Sequence, residues 1–173
     1  MKKLVFLLFV CTCLLSYSCS ENNSKEKDRK KIQEMELSTL QDTSVISYEK
    51  ADSLIHYYES YVAKYPEDSL CATYLYRAAD IFANTKRCLE SIKMYDRLIT
   101  EYPQDEHVEL AYFLKGVVYS QTCLNKEKAA ESFELFISKY PNSKRVQEAR
   151  ILLIMDTMKD EMDLIRQFEQ INQ

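Results

Sequence analysis

Six cysteines and two histidines are the residues of this 173-residue chain with the strongest claim to chemistry. Cys11, Cys13 and Cys19 cluster near the N-terminus, Cys71, Cys88 and Cys123 stand apart in the body, and His56 and His107 lie in different segments. A nucleophilic thiol needs a base beside it, and neither histidine has a defined spacing to a cysteine. No His/Cys/Asp/Glu grouping has metal-ligand spacing. No serine lies in a G-x-S-x-G context. With 1 glycine in the chain, phosphate-cradling loops are excluded as well. The carboxylates of the body are numerous, but they fall between apolar positions on polar helix faces, where they read as solvated surface rather than acid–base pairs. The sequence therefore assigns no catalytic residue, no metal, no cofactor and no small-molecule substrate; an enzyme is the remote alternative.

One cysteine has a clear chemical role. Residues 1–18 carry Lys2 and Lys3, then an apolar run from Leu4 to Leu15 broken by Thr12. The run is too short to span about 30 Å of hydrocarbon and fits the apolar region of a signal peptide. Cys19 follows Leu15-Ser16-Tyr17-Ser18, which looks like a bacterial lipobox, although Ser16 stands where most carry leucine. Its thiol would take a diacylglycerol and its freed amine a further acyl chain, enough for durable anchoring. Ordinary signal cleavage is the alternative. Residues 19–31 then read as a polar tether: positions 20–31 hold five basic and three acidic side chains and nothing apolar. Residues 32–173 hold 16 basic and 24 acidic side chains. Such a body is a poor nucleic-acid ligand and does not lie flat on an anionic membrane.

Residue positions in the body are set by repetition. The 3 prolines are Pro66, Pro103 and Pro141, each preceded by tyrosine, at spacings of 37 and 38. Before each runs a one-sided helical stripe: Leu54, Tyr58, Tyr61 and Val62; Ser91, Tyr95, Leu98 and Ile99; Ala129, Phe133, Phe136 and Ile137. After each comes a second helix, marked by Cys71, Tyr74 and Ala79; Val108, Ala111 and Gly116; Val146, Ala149 and Ile154. Proline is tolerated at helix starts and disrupts interiors, and a fixed period of this size marks a solenoid. The lone glycine, Gly116, falls where a small residue lets two helices approach. A lead-in helix is expected within 32–45, the repeat domain over 46–173, and a capping helix over about 160–172.

The pattern resembles the tetratricopeptide (TPR) repeat. Ala79 with Ser91, Tyr95, Leu98 and Pro103 matches that family's spacing, and Gly116 with Ala129, Phe133, Phe136 and Pro141 matches with one inserted residue. Leu54 and Ile154 depart from the family's small residues, and its usual tryptophan is absent. The resemblance implies an all-α, right-handed superhelical solenoid of about three helix pairs plus flanking helices. The Tyr-Pro endings and the period look most like the BamD-like outer-membrane lipoproteins, which have more repeats. That likeness implies an outer-membrane, lipid-anchored scaffold facing the periplasm, with surface exposure as the alternative, that serves cell-envelope or outer-membrane protein assembly. A periplasmic adaptor of an envelope-spanning or polymer-synthesis complex is the alternative.

In TPR proteins the first helix of each pair lines a groove for a protein or peptide. Carried over by position, this gives Tyr76, Asp80, Phe113, Val117, Ser120, Ile151 and Met155, a set suited to a helix or extended peptide. The competing reading is that some of them are core or are covered by the N- or C-terminal helices. Cys71, Cys88 and Cys123 are expected as buried small hydrophobes. A Cys88–Cys123 disulfide is the alternative, set against adjacent repeats lying a helix diameter apart when the bond needs Cα atoms within about 7 Å.

Overall fold

The computed structural model describes residues 23–39 and 47–157. All regular structure among these residues is helical: α1 (residues 23–39), α2 (Tyr48–Lys64), α3 (Cys71–Asn84), α4 (Cys88–Glu101), α5 (His107–Gln121), α6 (Lys126–Lys139) and α7 (Val146–Thr157). The leader 1–18, Cys19 and the expected C-terminal helix lie outside the described residues. The chain divides into two compact units that part after Pro66.

The first unit holds α1 and α2. Helix α1 begins at 23, inside the stretch expected to be a solvated tether, rather than at 32. Its lysines, glutamates and arginine are strong helix formers. One stripe, Asp28, Ile32 and Glu36 at i, i+4 and i+8, faces α2. Ile32 is buried. The Tyr58 hydroxyl donates to Glu36 at 2.6 Å, and Lys64 Nζ and the Tyr65 hydroxyl donate to Asp28 at 2.8 and 2.9 Å. The hydrogen-bonded Lys64 ammonium holds the Asp28 carboxyl below its usual range. This stripe escapes an apolar-periodicity search because two of its three members are carboxylates. Helix α2, which the proline spacing counts with the repeats, falls in this unit. Ser47 caps it, accepting from the Lys50 N–H at 3.3 Å.

The second unit is a helical array in which each of α3 to α7 packs on the next. The first helices of successive pairs also touch, α3 on α5 and α5 on α7. The expected stripes are its core: Ser91, Tyr95 and Leu98 of α4 and Ala129, Phe133 and Phe136 of α6 are all buried. The Tyr-Pro turns repeat in conformation. Tyr65, Tyr102 and Tyr140 sit at φ/ψ of −131/56, −130/56 and −127/60, because the residue before proline is driven out of the helical region. Two residues past each proline a polar side chain starts the next helix. Asp68 accepts from the Leu70 N–H at 3.0 Å, Asp105 from the His107 N–H at 2.9 Å, and Ser143 from the Arg145 N–H at 3.2 Å.

Gly116 meets its expectation. A Cβ built on it would lie 2.5 Å from the buried Phe133 ring, so only a bare backbone lets α5 approach α6 this closely. The cysteines correct theirs. Cys88 and Cys123 form a disulfide with Cα atoms 5.2 Å apart. The bond crosses from the first repeat to the second, joining the α3–α4 turn to the α5–α6 turn. It closes the antiparallel pair of α4 and α5, whose first residue and immediate C-terminal flank are brought together by the fold-back at Pro103. Cys71 keeps its place as a buried thiol, pushed up first by desolvation.

Candidate partner-binding groove

The groove candidates occupy equivalent positions on the first helices: Tyr76, Phe113 and Ile151 in one row, Asp80, Val117 and Met155 in the next. Tyr76 is half-buried. Its ring lies 5.0 Å from His107 and 6.4 Å from Tyr95. Asp80 is already engaged, accepting from the Tyr95 hydroxyl at 2.5 Å. Burial is the main cause that raises both phenols, with the Asp80 carboxylate adding to it. Tyr76 is pushed up to about 12 and Tyr95 further. Both therefore stay protonated as hydrogen-bond donors across the physiological range.

Phe113 does not line an open surface, which corrects its assignment. It is 4% exposed and lies in the core with Phe133 and Phe136, ring centroids 6.0 and 5.5 Å away. Val117 is partly buried against the same core. Ser120 donates to Asp156 Oδ1 at 2.9 Å, tying α5 to α7. Ile151 and Met155 do face outward, at 38% and 55% exposure.

Four residues missing from the sequence assignment belong here: Tyr95, Asp105, His107 and Arg145. The Asp105 side chain accepts from the His107 backbone and lies 2.7 Å from its Nδ1, which fixes the imidazole under Tyr76. The Arg145 guanidinium stands 6.0 Å over the Phe113 ring. His107 and Arg145 are 38 residues apart and occupy the same place, at the start of the next first helix. Each aromatic of the upper row thus packs against the residue that opens the following pair. The 38-residue spacing was the signal that could have found them. Among the described residues no group of three His, Cys, Asp or Glu could hold a metal ion.

Comparison with known proteins decides what the array is. Residues 73–105 and 110–143, which cover most of α3–α4 and α5–α6, each match the tetratricopeptide repeat. These two stretches are the chain's TPR repeats. Curated proteins gave no match to it. Its two TPR units are stacked helix pairs of the kind that bury one face against each neighbour, and TPR repeats generally serve as protein-interaction scaffolds without catalysis.

Proposed function

We propose that this chain is a lipid-anchored scaffold of the bacterial outer membrane. It engages a protein or peptide along the first helices of its TPR array, in the service of cell-envelope or outer-membrane protein assembly. One observation carries the groove: the stripe is closed at Asp80 and Phe113 and opens at α7, where Ile151 and Met155 stand exposed in the register of the upper positions. An apolar edge at one end of a polar-lined row suits the apolar face of an amphipathic helix. The anchor rests on Cys19 and the run that precedes it. The Cys88–Cys123 disulfide supports export, since such bonds persist in oxidising compartments. The assembly role rests on the BamD-like resemblance.

The test is a photo-crosslinking residue placed at Met155 in native envelopes. Capture of β-barrel assembly components supports the assembly role. Capture of other envelope proteins favours the adaptor reading. If Ile151→Asp with Met155→Asp left every crosslinked partner in place, the groove would be lost. Cys19→Ser must abolish acyl labelling and membrane partitioning, or the anchor is wrong.

A further inference from the structure

The edge of the array opposite the Tyr-Pro turns carries a feature that the groove does not use. There the α3–α4 turn and the α5–α6 turn are joined by Cys88–Cys123. Each cysteine is followed at once by a leucine. Leu89 is 76% exposed and Leu124 80%, the two most exposed large hydrophobics among the described residues. With cysteine Cα atoms 5.2 Å apart, the two leucine Cα atoms can be no more than about 13 Å apart.

Single exposed leucines are ordinary, but this pair is held in place at a cost. Leu124 sits at φ 53, in the left-handed region that bulky side chains avoid and that glycine or asparagine would take without strain. Lys86, its equivalent 38 residues earlier, shares the conformation at φ 62. Around the leucines stand Lys86, Arg87, Lys126 and Lys128, against Glu90 and Glu127. Arg87 is paired with Glu90 at 3.4 Å and stacked on Phe82, while Lys86 and Lys126 are exposed. This is a cationic edge on an otherwise acidic body.

We infer that these two turns form a membrane-contact tip. Leu89 and Leu124 insert at the headgroup–acyl boundary of a bilayer, and the flanking lysines meet anionic lipid phosphates. Charge complementarity selects the lipid. Two projecting leucines bury too little for a stable protein interface, which needs on the order of 1,000 Å², yet suffice for reversible insertion. The disulfide presents both leucines together, so neither turn has to be ordered on contact. An acidic body kept off an anionic membrane along its length can still touch it at one basic edge. The inference rests on the tip alone and does not require the anchor at Cys19.

The chain has no tryptophan, so Leu89→Trp and Leu124→Trp each install the only indole. Both positions are exposed, and far-UV circular dichroism verifies folding. With phosphatidylcholine vesicles containing phosphatidylglycerol, emission from each should shift to shorter wavelength and be quenched by brominated acyl chains. Pure phosphatidylcholine should give a weaker response. Leu135→Trp, on α6 about 14 Å along its axis from the turn, should stay at the solvated wavelength. Unshifted emission at position 89 on vesicles that carry the protein overturns the tip. An equal shift at position 135 does so too, since it means adsorption of the whole body. A shift without vesicles that grows with protein concentration means self-association and likewise overturns it.

Discussion

In the first TPR repeat the ring on the second helix ends in a hydroxyl, and Tyr95 donates it to Asp80 on the first. In the second repeat the ring at the equivalent position is Phe133, which lies against Gly116 among Phe113, Phe136 and Ala129. The surrounding frame is the same: matching Tyr-Pro turns, a polar side chain two places beyond each proline, a small residue at Ser91 or Ala129. The fillings differ. One repeat encloses a carboxylate held by phenols, the other a dry aromatic cluster whose helices approach as closely as a glycine allows. A TPR frame thus fixes the volume to be filled and leaves open whether hydrogen bonds or ring contacts fill it.

The largest expected effect comes from the bond that links the two fillings. Cys88→Ala with Cys123→Ala frees a loop spanning 35 residues in sequence, which should cost about 4 kcal/mol if the bond acts on the unfolded chain. Urea denaturation of the oxidised and double-variant chains measures it. A loss far below that would mean that the repeats hold α4 against α5 unaided. The double variant should also unfold less cooperatively, the two repeats separating by hydrogen exchange.

Exchanging the rings sharpens the contrast. Tyr95→Phe leaves the Asp80 carboxylate without its 2.5 Å donor and should cost about 1.5–3 kcal/mol. Phe133→Tyr brings a hydroxyl into an apolar cluster at zero exposure and should cost about as much. If either exchange proved neutral, the fillings would be interchangeable and the comparison empty. Alkali separates them as well. Tyr76 and Tyr95 titrate above their unfolded value near 10, so the folded state holds protons that the unfolded state releases. Their stabilisation is complete below pH ~10 and is lost as pH rises through the folded values. The urea midpoint should therefore fall on going above pH ~10, and fall less in Tyr95→Phe.

Gly116→Ala tests the close approach from the other side. Alanine gains about 1 kcal/mol of helix propensity, but its Cβ meets a buried ring at 2.5 Å, and overpacking costs about 1–3 kcal/mol. A net loss of about 1 kcal/mol is expected, recovered when Phe133→Leu is added. The equivalent residue of the first repeat is already alanine, Ala79, so the penalty belongs to the aromatic filling and not to the frame.

The frame was readable because it repeats: three prolines, three stripes and one glycine give period, helix order and core without any contact being known. What did not repeat stayed hidden. The α1 stripe is one isoleucine between two carboxylates, and its meaning depends on Lys64, Tyr58 and Tyr65 of another helix. Cys88 and Cys123 sit near equivalent turns, so comparing repeat with repeat put them a helix diameter apart, whereas Cys88 opens α4 and Cys123 follows α5, ends that the fold-back at Pro103 brings into bonding range. Phe113 was misplaced because an aromatic at a groove position reads the same whether a neighbour covers it or not. Asp80 carried an available signal: a carboxylate four residues from Tyr76 and a tyrosine at a core position both need partners.

The smallest effect has the opposite sign. Ser91 is fully buried, and its Oγ has no hydrogen-bond partner among the described residues. A buried hydroxyl without a partner carries its desolvation cost, and serine is a poorer helix former than alanine. The second repeat puts Ala129 at the same place, also at zero exposure, so the frame accepts the smaller side chain. Ser91→Ala should therefore raise stability by about 1 kcal/mol, read as a higher urea midpoint at unchanged slope. A loss instead would mean that the hydroxyl takes part in the Asp80–Tyr95 arrangement one turn away on α4. The double variant Ser91→Ala, Tyr95→Phe tests that directly: additive changes keep Ser91 outside the polar filling, and non-additive ones place it inside.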